Sequence, residues 1–292
     1  MKESIRGPLV NAACSPLLLR NRFSGFSVVH PESNVVVSLT THGVRLKTAH
    51  VALESIGRGT VKPSRLILWI DKEDAAHGLP STIQRLQKRG LEVMVSDGKY
   101  GPHTKYYPYL KSTQDFTAPL VTADDDIVYP KWWLRDLLEA YHKNPRVVNC
   151  HRAHVVVCRN GKIASYSEWQ SCTTVEERFE NFATGVSGVI YPPEFQRVLF
   201  QAGDGFQQCC PWADDVWLHV QALRAGYKVR QVREKPAHFW WVPATGDSAL
   251  MHRNVLSARP GNDDQIAATY TDADVQTILT GSVVSTFTAA RP

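Results

Sequence analysis

The chain has 292 residues, 43% of them hydrophobic and 21% charged, which is enough apolar material for a sizeable core and excludes a disordered or fibrous chain. A net charge of +5 with a pI near 8.9 is too mild to argue for nucleic-acid binding, but it suits an anionic substrate or peripheral contact with an acidic membrane face. No run approaches the roughly 18 apolar residues of a membrane span, the stretch 9–19 carries Asn11 and Pro16 and does not read as a signal peptide, and six cysteines without a CxxC pair predict reduced thiols in the cytoplasm.

Residues 1–33 show no sustained period and include Pro8, Pro16, Gly25 and Pro31, so they read as a lead-in draped over the domain. The β-branched run 34–39 predicts a buried parallel strand that ends at Thr40, Thr41 and His42, with a helix over 46–56. A second strand at 64–70 ends at Asp71, a helix at 79–89 is closed by Gly90, and a third strand at 91–95 ends at Ser96 and Asp97. Residues 101–111 carry Lys105 among tyrosines, and a strand at 119–123 runs straight into Asp124-Asp125-Asp126. Strands alternating with helices in this way predict a parallel α/β sheet with helices on both faces, and small polar residues at strand ends mark where such sheets bind ligands.

The second half is less regular. The pattern predicts a helix at 132–142, strands at 147–150 and 154–158, and a hairpin turn at Asn160-Gly161. A glycine-bearing strand entry follows at 184–191, then a helix from Pro192-Pro193 to about residue 200. Residues 214–225 form a helix that either Asp214 or Asp215 can cap, with Gly226 ending it. A strand at 227–232 and an aromatic one at 237–241 come last; beyond them, Asn262 and its polar neighbours after Gly261 read as a helix cap or an acceptor contact.

Two acidic clusters carry the chemistry. Three adjacent carboxylates repel one another, and a hard divalent cation with oxygen ligands, Mn2+ or Mg2+, is the usual compensation; the plain alternative is a solvated acidic turn. Side chains alternate along a strand, so Asp124 and Asp126 share a side, with Asp126 as direct ligand and Asp124 as ligand or ribose contact. The second cluster, Trp212-Ala-Asp214-Asp215, offers a proton acceptor at a helix N-terminus and a tryptophan that could stack on a sugar.

Taken in order, Thr40-Thr41-His42, Thr-Ala-Asp124-Asp125-Asp126-Ile-Val-Tyr, Gly185-Val-Ser-Gly188, Trp212-Ala-Asp214-Asp215-Val-Trp-Leu and the late His238 resemble a GT-A-fold glycosyltransferase, similar to family 2 and galactofuranosyltransferase-like enzymes. The resemblance spans roughly residues 34–241 and departs from the family in having an aspartate triplet and an Asp-Asp second motif where Glu-Asp is commoner. It implies a Rossmann-like, mostly parallel sheet flanked by helices, with a nucleotide-sugar-binding half at 34–130, an acceptor and catalytic half at 131–245 with a mixed acceptor-side region, and a C-terminal extension at 246–292. It implies metal-dependent transfer, with inversion, from a nucleotide-diphosphate sugar (UDP by default) to a hydroxyl of a glycan or lipid-linked glycan at the cytoplasmic membrane face. By the same resemblance Asp124, Asp126 and His238 hold the metal, and Asp215, with Asp214 as alternative, is the base. Thr40, Thr41, His42, Asp71, Asp97, Lys105, Asp124 and Asp125 meet the donor, while Trp212 and Gly188 meet the acceptor. A sugar-nucleotide nucleotidyltransferase is the competing enzyme, although the first strand lacks its glycine-rich loop; a non-catalytic carbohydrate-binding protein of this fold is the other alternative.

Overall fold

The computed structural model describes residues 3–96, 98, 100–113, 115–243 and 261–281. Its frame is a seven-stranded sheet in which β1 (Val36–Thr40), β2 (Arg65–Ile70), β3 (Leu91–Val95), β4 (Leu120–Asp124), β6 (Val148–Cys150), β12 (Val189–Tyr191) and β13 (Val229–Gln231) are ordered β13-β6-β12-β4-β1-β2-β3. All pairings are parallel except those of β12, which runs against both β4 and β6.

Alternation within the strands decides the two cores. Val37, Leu39, Leu66, Leu68 and Val121 face a layer made by α2 (Ala49–Gly57), α4 (Ser81–Gln87) and α6 (Trp133–Lys143). Val36, Ile67, Trp69 and Leu120 face the opposite layer, made by α5 (Tyr107–Ser112), α7 (Pro193–Ala202) and α9 (Asp214–Arg224). Burial on both faces explains why these strands read as continuous apolar runs. The chain steps outward from β1 to β2 to β3, then returns to place β4 on the other side of β1. That reversal opens a crevice at the carboxyl ends of β1 and β4, where Thr40 and Asp124 are register partners.

A three-stranded antiparallel sheet, β10 (Gln170–Ser171), β7 (Ala153–Val155) and β11 (Asn181–Ala183), flanks the crevice, and β8 (Cys158–Arg159) and β9 (Lys162–Ile163) form the hairpin expected at Asn160-Gly161, both of which have positive φ. The strand expected at 154–158 is thus divided between β7 and β8, and the aromatic strand at 237–241 shrinks to β14 (Trp240–Trp241), which pairs with β5 (Ile127–Val128) just after the aspartate triplet. The helix expected at 46–56 begins instead as a 3-10 turn, Gly43–Lys47, ahead of α2. All six cysteines are free thiols. Among the described residues no helix is long and apolar enough to cross a membrane.

The lead-in is a correction, because α1 (Glu3–Phe23) is helical despite Pro8 and Pro16. Tertiary contact overrides local propensity here. Leu17 is fully buried, and Arg20, Asn21 and Arg89 all converge on the buried carboxylate of Glu54, at 3.1, 3.2 and 2.5 Å, tying α1 to α2 and to the turn after α4. We expect Glu54→Ala to cost about 3–5 kcal/mol in urea denaturation, because it strands two arginines at a buried site. A change under 1 kcal/mol would show that the network is dispensable.

Candidate functional site

A cavity of about 640 Å3 runs along the carboxyl ends of β1 and β4. The residues that build it come from both halves of the chain, and a set of packing contacts fixes their positions. β4 ends at Asp124, whose N–H donates to the Tyr129 hydroxyl at 2.8 Å, so the tyrosine that follows the triplet holds the turn carrying it. Asp125 is turned inward: Thr41 Oγ1 donates to its Oδ2 at 2.5 Å, and Arg45 binds both of its oxygens. Arg45 also reaches Asp126 Oδ2 at 2.7 Å.

Lys105 is held from two directions. Ser38, a lone hydroxyl in the apolar run of β1, donates to the Lys105 carbonyl at 2.6 Å and accepts from Trp69 Nε1 at 3.1 Å. Two residues earlier, His103 stacks on Phe206 of α8 (Phe206–Cys209) and its Nε2 donates to the Cys210 carbonyl at 2.8 Å, which ties this segment to the loop entering α9. Burial drives the His103 pKa down to about 4, so the ring is a neutral packing element. The result is that Lys105 Nζ lies 2.6 Å from Asp124 Oδ1 and 3.5 Å from Asp214 Oδ2, joining the two acidic clusters. Burial opposes its charge, but Asp124, Asp214 and Asp215 outweigh that and hold the ammonium protonated, its pKa well above the usual lysine range.

The expected cap of α9 is corrected. The N-cap is Ala213, with no side-chain cap bond, so neither aspartate is consumed by its own helix. Asp215 Oδ1 accepts the Gly185 N–H at 3.0 Å instead, from the 3-10 turn Gly185–Ser187 that leads into β12. Burial, then the neighbouring Asp214, push the Asp215 pKa up to about 8, against the pull of Lys105. Asp126 is raised to about 7, by burial first and then by Asp124, with Arg45 opposing. Both groups sit near the range where a proton is readily exchanged at neutral pH.

Thr40, Thr41, His42, Asp71, Lys105, Asp124, Asp125, Asp126, Trp212, Asp214 and Asp215 all line the cavity. Asp71 also caps α3 (Lys72–Ala76), accepting the Asp74 N–H at 2.8 Å. Asp97 lies outside the described residues. Two expected residues do not line the cavity. His238 is exposed: the chain beside it is pinned where Ala237 N–H donates to the His151 carbonyl and Ser187 Oγ donates to the Ala237 carbonyl, and the charge His238 feels is that of Arg152. Gly188 is a packing glycine. It has φ +95°, and an added Cβ would sit 2.5 Å from Trp133 Nε1, which donates to the Ser187 carbonyl at 2.8 Å. We expect Gly188→Ala to lower stability by about 2–4 kcal/mol through backbone strain and overpacking. An unchanged denaturation midpoint would instead point to a role at the ligand.

Sequence reasoning missed Arg45, Ser38, Arg152 and His154. The serine was detectable as a polar interruption of a buried strand; the others sit on a 3-10 turn, in a loop or on a short strand with no pattern of their own. The C-terminal extension also reaches the site. In α10 (Asn262–Thr269), Asn262 lines the cavity, Asp263 accepts from Ser165 Oγ at 2.6 Å and the Tyr166 N–H at 2.7 Å, and Gln265 accepts the Trp212 N–H at 2.8 Å.

The fit of a cation can be judged from the donors present. Among the described residues no three His, Cys, Asp or Glu are already grouped as a metal site. Among the described residues, five carboxylates, Asp124, Asp125, Asp126, Asp214 and Asp215, meet only Arg45 and Lys105 in ion pairs, and Asp126 Oδ1 is buried with no hydrogen-bond partner. A buried orphan carboxylate oxygen in an anionic pocket fits a divalent cation.

No family model matches the chain, and no curated protein matches it. Solved structures do. A mannosyltransferase from Pyrobaculum calidifontis, PcManGT, in complex with GDP-Man and Mn2+, is 15% identical with a TM-score of 0.50, covering 87% of this chain and 71% of its own. A 4-diphosphocytidyl-2C-methyl-D-erythritol synthase is 10% identical at TM-score 0.45, covering 75% of this chain and 98% of its own. At these identities the likeness concerns the fold: the chain has a Rossmann-like GT-A fold.

Proposed function

We propose that the chain is a glycosyltransferase that moves a sugar from a nucleoside-diphosphate donor to a hydroxyl of a glycan or lipid-linked glycan. One observation carries this reading: two acidic clusters distant in sequence converge on one cavity at the sheet's switch point, bridged by Lys105 at 2.6 and 3.5 Å. A donor diphosphate is anionic and the pocket is too, so the pair requires added positive charge. Asp126 and Asp124 would hold a divalent cation, Mn2+ or Mg2+, which when bound neutralises charge on the diphosphate leaving group.

The chain's own residues would then divide the work. Thr40, His42 and Asp71 line the donor side of the cavity. Lys105 keeps a fixed positive charge beside Asp124, where the departing diphosphate would lie. Asp215, its Oδ1 oriented by the Gly185 N–H, accepts the proton of the acceptor hydroxyl; the oxygen bonds to the anomeric carbon as the bond to the diphosphate breaks, with inversion.

The first test is a thermal-shift screen of UDP and GDP, with and without Mn2+, followed by product analysis with the matching nucleotide-sugars. We expect one nucleotide to raise Tm only with the cation, because selective binding stabilises the folded state, and nucleoside diphosphate to be released on transfer. Release of pyrophosphate would assign a nucleotidyltransferase instead, and no cation-dependent stabilisation by any nucleotide would remove the proposal.

A further inference from the structure

The acceptor side of the cavity carries an arginine without an ion pair among the described residues. His154 on β7 stands directly opposite Phe182 on β11, so the two share a face, and both line the cavity together with Arg152 and Tyr166. Tyr166 packs on His154 and Phe182 with ring centroids 5.5 and 6.2 Å apart; Phe182 is buried behind it, so the half-buried Tyr166 is the ring that presents an aromatic surface to a sugar. This wall adjoins the proposed base. The Thr184 N–H donates to the Arg152 carbonyl at 3.0 Å, and the next residue, Gly185, is the one that holds Asp215.

Arg152 differs from the other cavity arginine. Arg45 is paired with Asp125 and Asp126, whereas Arg152 makes no ion pair among the described residues. Its Nη2 lies 3.2 Å from His154 Nε2. A guanidinium is donor only, so that imidazole nitrogen accepts and Nδ1 carries the proton. Among the described residues Arg152 Nε and His154 Nδ1 are then two buried donors with no partner. Burial, with Arg152 and His238 nearby, lowers the His154 pKa to about 4 and keeps it a neutral donor. Unmatched buried donors are costly, and both belong to side chains that line the cavity, where a small shift of either would let an incoming acceptor group satisfy them.

We propose that Arg152 and His154 form an anion-recognition subsite for the acceptor, so that the acceptor is an acidic saccharide bearing a carboxylate or a phosphate beside the ring that stacks on Tyr166. This rests on reading the cavity as a glycosyl-transfer site. The carboxylate and phosphate cases share the chemistry of a charge-assisted contact to a guanidinium.

The test measures binding of methyl β-glucuronide, glucose 6-phosphate and neutral methyl β-glucoside by saturation-transfer NMR, on wild type, Arg152→Gln and Arg152→Lys. We expect at least one anionic saccharide to bind about tenfold or more tighter than the neutral one, the scale of one charge-assisted hydrogen bond. Arg152→Gln should bring the two within about twofold and Arg152→Lys should keep part of the preference. Which anion gains the preference separates the carboxylate and phosphate cases. Equal binding of charged and neutral saccharides by the wild type, no saccharide binding, or a preference that survives in Arg152→Gln overturns the proposal. UDP and GDP with Mn2+ are measured on the same samples. A large loss of nucleotide affinity in Arg152→Gln would move this arginine to the leaving group and overturn the acceptor role. Failure of the wild type to bind either nucleotide strikes the transferase reading, while the saccharide arm still reports on the subsite.

Discussion

Asp215→Asn should lower turnover by about a thousandfold, within the range that a positioned general base contributes, while cation-dependent nucleotide binding survives. Asparagine keeps the volume and can still accept the Gly185 N–H that orients Oδ1 at 3.0 Å, so the architecture persists and only the proton acceptor is lost. A loss confined to kcat is the mark of an interaction made in the transition state. Near-wild-type turnover would sink the base assignment, and an equal loss of nucleotide affinity would mean that the residue organises the donor site. A base must be ionised to act, and this one is raised to about 8 by burial and then by Asp214. The rate should therefore rise with pH through that region in wild type. Asp214→Asn removes the second of those causes, so the acidic limb should move to lower pH. Linkage supplies an independent check. A carboxyl whose folded-state pKa lies above its unfolded value adds no penalty at low pH; the penalty grows as pH rises past the ordinary carboxylate value and is complete above the folded value of about 8. Asp215→Asn should thus match wild-type stability below about pH 4 and exceed it above pH 8. Such a gain in stability with a loss of rate is expected where a strained group serves chemistry.

Asp126→Asn should abolish the stabilisation that Mn2+ plus nucleotide gives the wild type, about 2.7 kcal/mol at a hundredfold excess of ligand over Kd. The three neighbouring aspartates have separate fates. Asp125 is already satisfied by Thr41 and Arg45, so Asp125→Asn acts on the fold, breaking a buried pair at a cost of about 3–5 kcal/mol. Asp126 keeps one oxygen on Arg45 at 2.7 Å and the other buried and unpartnered, and burial with Asp124 raises it to about 7. Removing its charge leaves Arg45 paired to Asp125, so Asp126→Asn should fold and fail only in binding. Tm measured with and without Mn2+ and nucleotide separates the two variants. A full cation-dependent shift in Asp126→Asn would transfer the ligand role to Asp124.

The sequence alone was enough for the order of strands and helices in the first half. Apolar β-branched runs of strand length, each ended by small polar or acidic residues, have few other solutions than a parallel α/β sheet, and β3 matches its expected bounds residue for residue. It also marked both acidic clusters that line the cavity, because a run of charge at a strand or helix end stands out from its surroundings locally. The assignments that failed were those in which a distant partner outweighs the local signal. Pro8 and Pro16 read as breakers, yet burial of Leu17 and the Glu54 network fold that stretch as a helix. Asp214 and Asp215 sit where caps belong, yet Lys105 and Gly185, distant in the chain, claim them. The late histidine and Gly188 follow a family order of motifs, but the chain path leaves one exposed and packs the other against Trp133. Periodicity and propensity report only on neighbours a few residues apart. Which aspartate is inward is set by Arg45, 80 residues from Asp125, and the joining of the clusters by a lysine whose carbonyl Ser38 holds across 67 residues; pairs at such separations exist only once the sheet has formed.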